Sequence, residues 1–139
     1  MRKTNLLNTK LSEAISQIGH TQCLTIGDCG LPIKNDGRKI DLSVVRGLPK
    51  FIDVLKATLS EMKVQKVYLA QKIKTKNPKQ LENIMKLLDD VDIEWISHEK
   101  LKNMCHVSNN IASVRTGEIT PYSNIVLESN VDFIGEAIK

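Results

Sequence analysis

Apolar residues recur along this chain with two periods, and each period predicts a different element. Apolar residues three and four positions apart are typical of amphipathic helices. This spacing covers residues of about 9–18, 49–62, 78–90 and 99–105. Short apolar runs, some of them alternating with polar residues, are typical of strands. They predict strands at residues 23–26, 64–70, 93–96, 111–115 and 125–127. Residues 40–42 are expected to be ordered again after a polar loop.

The residues at the helix ends support these boundaries. Asn8 or Thr9 can cap the first helix, because a side-chain oxygen there accepts a free backbone N–H. Pro49 suits the first position of the second helix, since proline has no N–H to leave unpaired. Asn77 can cap the third helix, with a proline at its first position, and Ser97 can cap the last helix.

Strands and helices alternate along most of the chain, which is the pattern of βαβ units. We therefore expect a single α/β domain with three layers, in which helices flank a central, mostly parallel sheet. For the two final strands, at 111–115 and 125–127, we expect antiparallel pairing at an edge of the sheet.

Composition narrows the class of protein. The 139 residues are 41% apolar and 26% charged, which is typical of a globular domain with its own core. No apolar run approaches the roughly 20 residues that a membrane span needs, so we expect no membrane partner. Three cysteines, at positions 23, 29 and 105, show neither metal-type spacing nor a disulfide framework. This usage is typical of a reducing cytoplasm, where we expect the protein to work.

The net charge of +4 is concentrated in one window. Residues 63–79 contain six lysines and no acidic residue. Such a window can bind an anion or a nucleic acid, or it can simply be a solvated rim around a loop and a helix start. Proteins that bind single strands stack bases on aromatic side chains, and this window offers only Tyr68. We therefore favour the solvated rim and expect no nucleic-acid partner.

The first predicted strand has a titratable residue at each end. His20 follows Gly19, where the first helix is expected to stop, and Asp28 lies in the turn-rich loop after the strand. His98 occupies a second junction between a strand and a helix, with Lys102 one helical turn later. Histidine can donate and accept protons near neutral pH. These residues predict a possible acid/base site. The alternatives are that each isolated histidine is structural, which is more common, and that the loop after Gly27 is just a turn.

Several familiar signatures are absent from the sequence. It contains no glycine-rich nucleotide loop, no nucleophile elbow and no cluster of histidine, cysteine and carboxylate residues with metal-ligand spacing. We therefore expect no metal and no cofactor, and we interpret the cysteines as small buried hydrophobic residues. The pattern alone predicts an α/β protein with a possible acid/base site, and it names no substrate.

Several segments taken together resemble the D-ribose pyranase family, whose close relatives include the fucose mutarotases. The combination of Gly-His-Thr, Asp-x-Gly-Leu-Pro-Ile and Pro-Tyr-x-Asn-Ile is the specific part of the resemblance, which covers residues of about 1–133 in consistent order. The matching segments are 7–8, 18–21, 28–33, 40–42, 47–55, 73–78, 97–99, 115–118 and 121–125. The remaining residues, 134–139, run past the usual family end and are expected to form a C-terminal extension.

The resemblance implies an isomerase of carbohydrate metabolism that interconverts the pyranose and furanose rings of D-ribose, so that a ribose kinase receives furanose. His20 matches the proton donor of the family. The sugar-binding positions of the family match Asp28, His98, Lys102, Tyr122, Ser123 and Asn124, and the segment around 105–110 is longer here than in the family. Members of the family assemble as decamers of two stacked pentameric rings, with sites at subunit interfaces.

Two alternatives stay open at this point. One is a mutarotase of another sugar, such as L-fucose. The other is a non-catalytic sugar-binding protein that uses the same pocket.

Overall fold

The computed structural model describes residues 1–138, and over this range it contains five helices and six strands. In chain order they are α1 (Thr9–Gln17), β1 (Cys23–Gly27), β2 (Lys39–Asp41), α2 (Phe51–Leu59), β3 (Val64–Ala70), α3 (Ile73–Lys76), α4 (Pro78–Leu87), β4 (Asp92–Ile96), α5 (His98–Met104), β5 (Asn110–Arg115) and β6 (Ile125–Ser129).

The six strands form one sheet with the order β2-β5-β1-β6-β3-β4. β1 pairs in parallel with β5, β5 with β2, and β3 with β4, whereas β6 is antiparallel to both of its neighbours. Five strands therefore point the same way, which confirms the mostly parallel sheet. The expected pairing of the two final strands is wrong, because β6 lies in the middle of the sheet between β1 and β3 and does not pair with β5.

Helices cover both faces of the sheet, which confirms the three layers. On one face, α1, α2 and α4 bury an apolar core that includes Leu11, Phe51, Leu55 and Ile84. The opposite face carries a smaller cluster centred on Leu101 of α5. Alternate residues of each strand point to opposite faces, so β1 contributes Leu24 and Ile26 to the first core and Cys23 to the second. Cys105 is buried as well, as expected of small hydrophobic cysteines, while Cys29 is half-buried.

Most of the helix caps follow the sequence prediction. The side chains of Asn8, Asn77 and Ser97 each accept a backbone N–H three residues later, at 2.9, 3.3 and 3.1 Å. Pro49, in contrast, is not the first residue of α2; it lies two residues before the helix, and Lys50 at the cap position makes no side-chain hydrogen bond. Glu118 supplies the missing acceptor, because its Oε1 accepts the N–H of Phe51 at 3.1 Å.

Two helices end earlier than the apolar pattern predicts, and one short helix was not predicted. α2 ends at Leu59 and α4 at Leu87, about three residues before the expected ends. Met62, beyond the end of α2, is buried without being helical, and Leu88, beyond the end of α4, is half-buried. α3 has only four residues, which is too short for a helical stripe. Across residues 1–138, no helix is both long and apolar enough to span a membrane.

Candidate active site

Polar side chains from three parts of the chain meet at the edge where the parallel strands end. Asp28 follows β1 directly, and His98 comes two residues after β4. The loop 122–124 leads into β6, which runs in the opposite direction, so its start lies at the same edge. Ligands of α/β proteins bind at this edge. We call Asp28, His98, Tyr122 and Asn124 the carboxyl-end cluster.

Asp28 and Asn124 hold each other through two hydrogen bonds. The backbone N–H of Asp28 donates to Asn124 Oδ1 at 2.9 Å, and Asn124 Nδ2 donates to Asp28 Oδ2 at 3.1 Å. Asp28 Oδ1 accepts the N–H of Gly30 at 2.9 Å. Gly27 is required here, because a Cβ on it would lie 2.9 Å from Asn124 Oδ1 and would also collide with Leu31. The amide of Asn124 is buried, while Asp28 stays partly exposed.

His98 and Tyr122 form the second half of this cluster. Their rings meet edge to face, with centroids 5.0 Å apart. Tyr122 has a φ of +57°, a left-handed conformation that is uncommon for a residue with a Cβ and that concentrates at functional sites. Nδ1 of His98 is buried and has no hydrogen-bond partner within residues 1–138. A buried polar atom of this kind usually has a partner, so Nδ1 is available to a ligand hydroxyl.

The protein environment shifts the pKa values of the two titratable groups in opposite directions. Burial raises the pKa of Asp28 above its ordinary value, against the hydrogen bonds from Gly30 and Asn124. Burial lowers the pKa of His98, and the positive charge of Lys102 lowers it further, while Asp28 opposes this. His98 is therefore neutral at neutral pH, with one nitrogen that can donate and one that can accept a hydrogen bond.

The remaining two predicted binding residues lie beside the cluster. Lys102 is one turn after His98 on α5, and its Nζ is 3.4 Å from Glu99 Oε1. Ser123 is fully buried. Its Oγ accepts from Gln80 Nε2 at 3.0 Å and lies 2.9 Å from Thr120 Oγ1. The Ser123 hydroxyl thus fixes the loop 122–124 against α4, and its contribution to ligand binding stays a prediction.

His20 is far from this cluster within one chain. It precedes β1 whereas Asp28 follows it; seven residues lie between them, five of which form the extended strand β1, so the two ends are roughly 20 Å apart. The imidazole is exposed, and its Nε2 lies 3.1 Å from Gln65 Oε1. The sequence therefore identified two ends of one strand correctly, but a single chain does not bring His20 and Asp28 together. The next residue, Thr21, has a φ of +70°, so the backbone is strained here as well.

The partners of His20 were not foreseen from the sequence. Gln65 Nε2 donates to Glu128 Oε2 at 2.7 Å, and Tyr68 Oη donates to Glu128 Oε1 at 3.2 Å. The three residues come from β3 and β6, which lie side by side in the sheet. Nothing in the local sequence marks Gln65, because glutamine is common on protein surfaces and its partner lies 63 residues away. We call these residues and His20 the amino-end cluster.

Two of the six lysines between 63 and 79 have partners within the chain. Lys66 Nζ is 2.8 Å from Glu94 Oε1 and lies over the ring of Tyr68. Lys74 Nζ lies 4.0 Å from the ring centroid of Trp95. These contacts favour the solvated rim over a nucleic-acid surface, and the absence of a nucleic-acid partner stays a prediction. Within residues 1–138, no group of three or more potential ligands among His, Cys, Asp and Glu lies close enough to hold a metal ion.

The carboxyl-end cluster is suited to a neutral ligand with several hydroxyl groups. Its carboxylate, amide, imidazole and phenol offer both donors and acceptors. The side chains of Asp28, His98 and Tyr122 are partly exposed, and the three residues lie at the same edge of the sheet. The shifted pKa values of Asp28 and His98 are also typical of a site that handles protons.

Comparison with known sequences gives full-length similarity to one family. Residues 1–132 match the sequence profile of the RbsD / FucU transport protein family. A D-ribose pyranase of Staphylococcus epidermidis is 55% identical over 134 residues, which covers 96% of this chain and 100% of that protein. A D-ribose pyranase of Staphylococcus carnosus is 54% identical with the same coverage.

Solved structures give the same answer. The structure of Bacillus subtilis RbsD complexed with D-ribose has a TM-score of 0.88 and 38% sequence identity, and the match covers 96% of this chain and 100% of that one. The fucose mutarotase of Streptococcus pneumoniae, in complex with L-fucose, has a TM-score of 0.75 over 90% of this chain and 94% of its own. At 18% identity, the second likeness shows the fold alone.

Proposed function

The chain belongs to the RbsD / FucU transport protein family, and from that membership we propose that it is a D-ribose pyranase. It interconverts the β-pyranose and β-furanose forms of D-ribose. The observation that carries this proposal is the full-length similarity to curated D-ribose pyranases, which leaves no part of those proteins unmatched. The ribose complex of a relative with the same fold agrees with a sugar as the ligand.

The reaction needs only proton transfers. An acid protonates the ring oxygen O5 while a base removes the proton of the anomeric hydroxyl; the C1–O5 bond breaks and a free aldehyde forms. The O4 hydroxyl then adds to C1 and closes the furanose. Positioned acid/base groups speed such a step by ~10²–10⁴-fold, a useful gain for a reaction that already proceeds in water.

We propose that the carboxyl-end cluster binds the sugar. Asp28 accepts a sugar hydroxyl, and its bonds to Asn124 and Gly30 hold the carboxylate in place for this. The Nδ1 atom of His98, buried and without a partner within residues 1–138, hydrogen-bonds a second hydroxyl. Tyr122 offers its ring and phenol, and Lys102 adds a donor at the rim. Ser123 acts by fixing the loop that carries its two neighbours.

We propose that His20 is the proton donor and reaches the sugar from a second copy of the chain. The separation of roughly 20 Å along β1 supports this arrangement, because a side chain that far away cannot serve the cluster of its own chain. Three apolar side chains on the loop before α2, Val44, Val45 and Leu48, are 71%, 62% and 54% exposed. Such a patch is typical of a surface that another subunit covers.

The assembly that we propose is a homodecamer of two stacked pentameric rings with the sites at subunit interfaces. We further propose that it works in the cytoplasm, where it supplies furanose for ribose phosphorylation and catabolism. Light scattering tests the assembly and should give ten times the mass of the chain. A monomer that retains full activity would contradict the interfacial site.

The function is tested by NMR magnetisation transfer between the pyranose and furanose signals of D-ribose. The protein should increase the exchange rate, and it should do so for ribose more than for L-fucose or other aldoses. Acceleration of L-fucose alone would instead identify a mutarotase of another sugar. Saturable ribose binding without faster exchange would identify a non-catalytic sugar-binding protein.

A further inference from the structure

His20 belongs to a row of hydrogen bonds in which the donor and acceptor of each bond determine the donor and acceptor of the next. The bonds join His20 Nε2 to Gln65 Oε1 at 3.1 Å, Gln65 Nε2 to Glu128 Oε2 at 2.7 Å, and Tyr68 Oη to Glu128 Oε1 at 3.2 Å. Gln65, Tyr68 and Glu128 are all partly buried, whereas His20 is exposed. The exposed imidazole of His20 is therefore hydrogen-bonded to a row of partly buried side chains.

The direction of the hydrogen bonds in this row is determined by Glu128. A carboxylate only accepts hydrogen bonds, so both Tyr68 and Gln65 must donate to it. The amide of Gln65 has one end that donates and one that accepts. Since its NH₂ faces Glu128, its carbonyl oxygen faces His20. The Nε2 atom of His20 must then carry a hydrogen.

The backbone around His20 is also fixed. The N–H of Thr21 donates to the carbonyl oxygen of Ser129 at 3.0 Å, and Asn109 Nδ2 donates to the carbonyl oxygen of Thr21 at 2.9 Å. These bonds hold Thr21 in its left-handed conformation. A residue held in this way at the end of a strand is typical of a functional position rather than a free surface.

We propose that Gln65, oriented by Glu128 and Tyr68, is a positioning residue that keeps the proton of His20 on Nε2 and leaves Nδ1 as the atom that exchanges protons with the sugar. This inference rests on the proposed function, because it assigns the atom through which His20 acts. The second nitrogen of a histidine often decides the tautomer through its own hydrogen bond.

The proposed geometry gives a balanced proton transfer. The imidazolium donates its Nδ1 proton to O5 of the pyranose as the C1–O5 electron pair moves to O5. His20 is left neutral with its hydrogen on Nε2, which is the tautomer that Gln65 Oε1 accepts. As O4 adds to C1, the O4 hydroxyl proton passes to Nδ1 and regenerates the imidazolium, while the proton that the base took from the anomeric hydroxyl returns to O1. No proton has to move between the two ring nitrogens of His20 during the turnover.

The test is solid-state NMR of the assembled protein labelled with ¹⁵N-histidine, because the ring ¹⁵N shifts distinguish the two tautomers. The signals of His20 are identified from their loss in His20→Gln. At a pH where the ring is neutral, the wild type should show hydrogen on Nε2 only. Gln65→Met removes the acceptor and should allow both tautomers. Gln65→Lys presents a donor to His20 and should shift the proton to Nδ1.

Gln17→Lys is the matched control, since Gln17 is exposed on α1 and its side chain hydrogen-bonds to Glu13, not to the row that supports His20. It should leave the His20 signals unchanged. Exchange measurements complete the test: Gln65→Met should lower the ribose exchange rate at saturating sugar by about tenfold, a fraction of the ~10²–10⁴ that acid/base catalysis supplies. Ribose affinity should change little. Light scattering verifies that the variants assemble as the wild type does.

The outcomes separate this inference from the proposed function. Identical His20 tautomers in the wild type, Gln65→Met and Gln65→Lys would overturn the positioning role, even if the wild type is an active pyranase. The expected tautomers without any acceleration of ribose exchange would support the hydrogen-bond assignment and contradict the proposed function instead.

Discussion

The two ends of β1 carry clusters of very different construction. At the carboxyl end, Asp28 and Asn124 hold each other through paired hydrogen bonds next to the rings of His98 and Tyr122. Here, burial shifts the pKa values of both Asp28 and His98. At the amino end, an exposed His20 rests on a row of hydrogen bonds along the sheet.

The difference indicates a division of labour. The carboxyl-end cluster has the converging polar groups of a binding site, and its two titratable side chains, Asp28 and His98, are only partly exposed. The amino-end cluster has an exposed imidazole whose orientation is supported by Gln65. Each end contains one residue with positive φ, Tyr122 at one and Thr21 at the other. We propose that the two clusters complete each other when copies of the chain meet.

The largest effect is expected from removal of the proton donor. His20→Ala should reduce the acceleration of ribose exchange by ~10²–10⁴-fold, with ribose affinity nearly unchanged because the carboxyl-end cluster is intact. Magnetisation transfer measures the rate, and isothermal titration calorimetry measures the affinity. His106→Ala is the control, because His106 belongs to neither cluster. Full activity in His20→Ala would remove the amino-end cluster from the account.

A smaller loss is expected at the carboxyl end. Asn124→Ala leaves the backbone N–H and the Oδ2 atom of Asp28 without their partner. Hydrogen bonds to charged groups contribute about 1.5–3 kcal/mol, so ribose affinity should fall roughly 10- to 100-fold. Calorimetry measures the change, with Asn35→Ala in an exposed loop as the control. Unchanged affinity would show that the Asp28–Asn124 pair does not shape the ribose site.

Gly27 tests how closely the carboxyl-end cluster is packed. Gly27→Ala places a methyl group against Leu31 and Asn124. Overpacking of this kind costs about 1–3 kcal/mol of the free energy of unfolding, which denaturant titration measures. Gly37→Ala is the matched control, because a Cβ there meets no atom within 4 Å and the residue is exposed. Equal free energies of unfolding for the two variants would mean that Leu31 and Asn124 can shift to accommodate the added methyl group.

The smallest effect concerns pH. Burial and Lys102 lower the pKa of His98 in the folded protein below its ordinary value of 6.5. The unfolded chain then binds the proton more readily, so stability is fully present above pH 6.5 and decreases as the pH falls through the lowered pKa. His98→Gln should reduce the loss of melting temperature between pH 7 and pH 5. A pH dependence that is unchanged in this variant would contradict the lowered pKa.

The sequence predicted most local structure because local signals determine it. Asn77 and Ser97 cap helices where their side chains predict it, and the first strand was found almost to the residue. The position of β6 could not be predicted, since its partners β1 and β3 are chosen by packing between distant segments. The prediction that Pro49 begins α2 was wrong for the same reason: the acceptor at the start of this helix comes from Glu118, 67 residues away.

The site was predicted in part. The sequence pattern pointed to Asp28 and His98, and the family resemblance added Tyr122 and Asn124; the structure brings these four residues together at one edge. The length of the first strand already implied that its two ends lie far apart. The support for His20 was invisible, because Gln65 and Glu128 meet only through the pairing of β3 with β6.

The central claim is that one active site takes its acid from one chain and its pocket from another. Co-expression of His20→Ala with Asp28→Ala tests it directly, after each variant alone is verified to fold and assemble. If the site is shared, random mixing restores about a quarter of the sites, since one chain supplies His20 and its neighbour supplies Asp28. We expect ribose exchange at about that fraction of the wild-type rate. No activity above that of the separate variants would contradict the shared site.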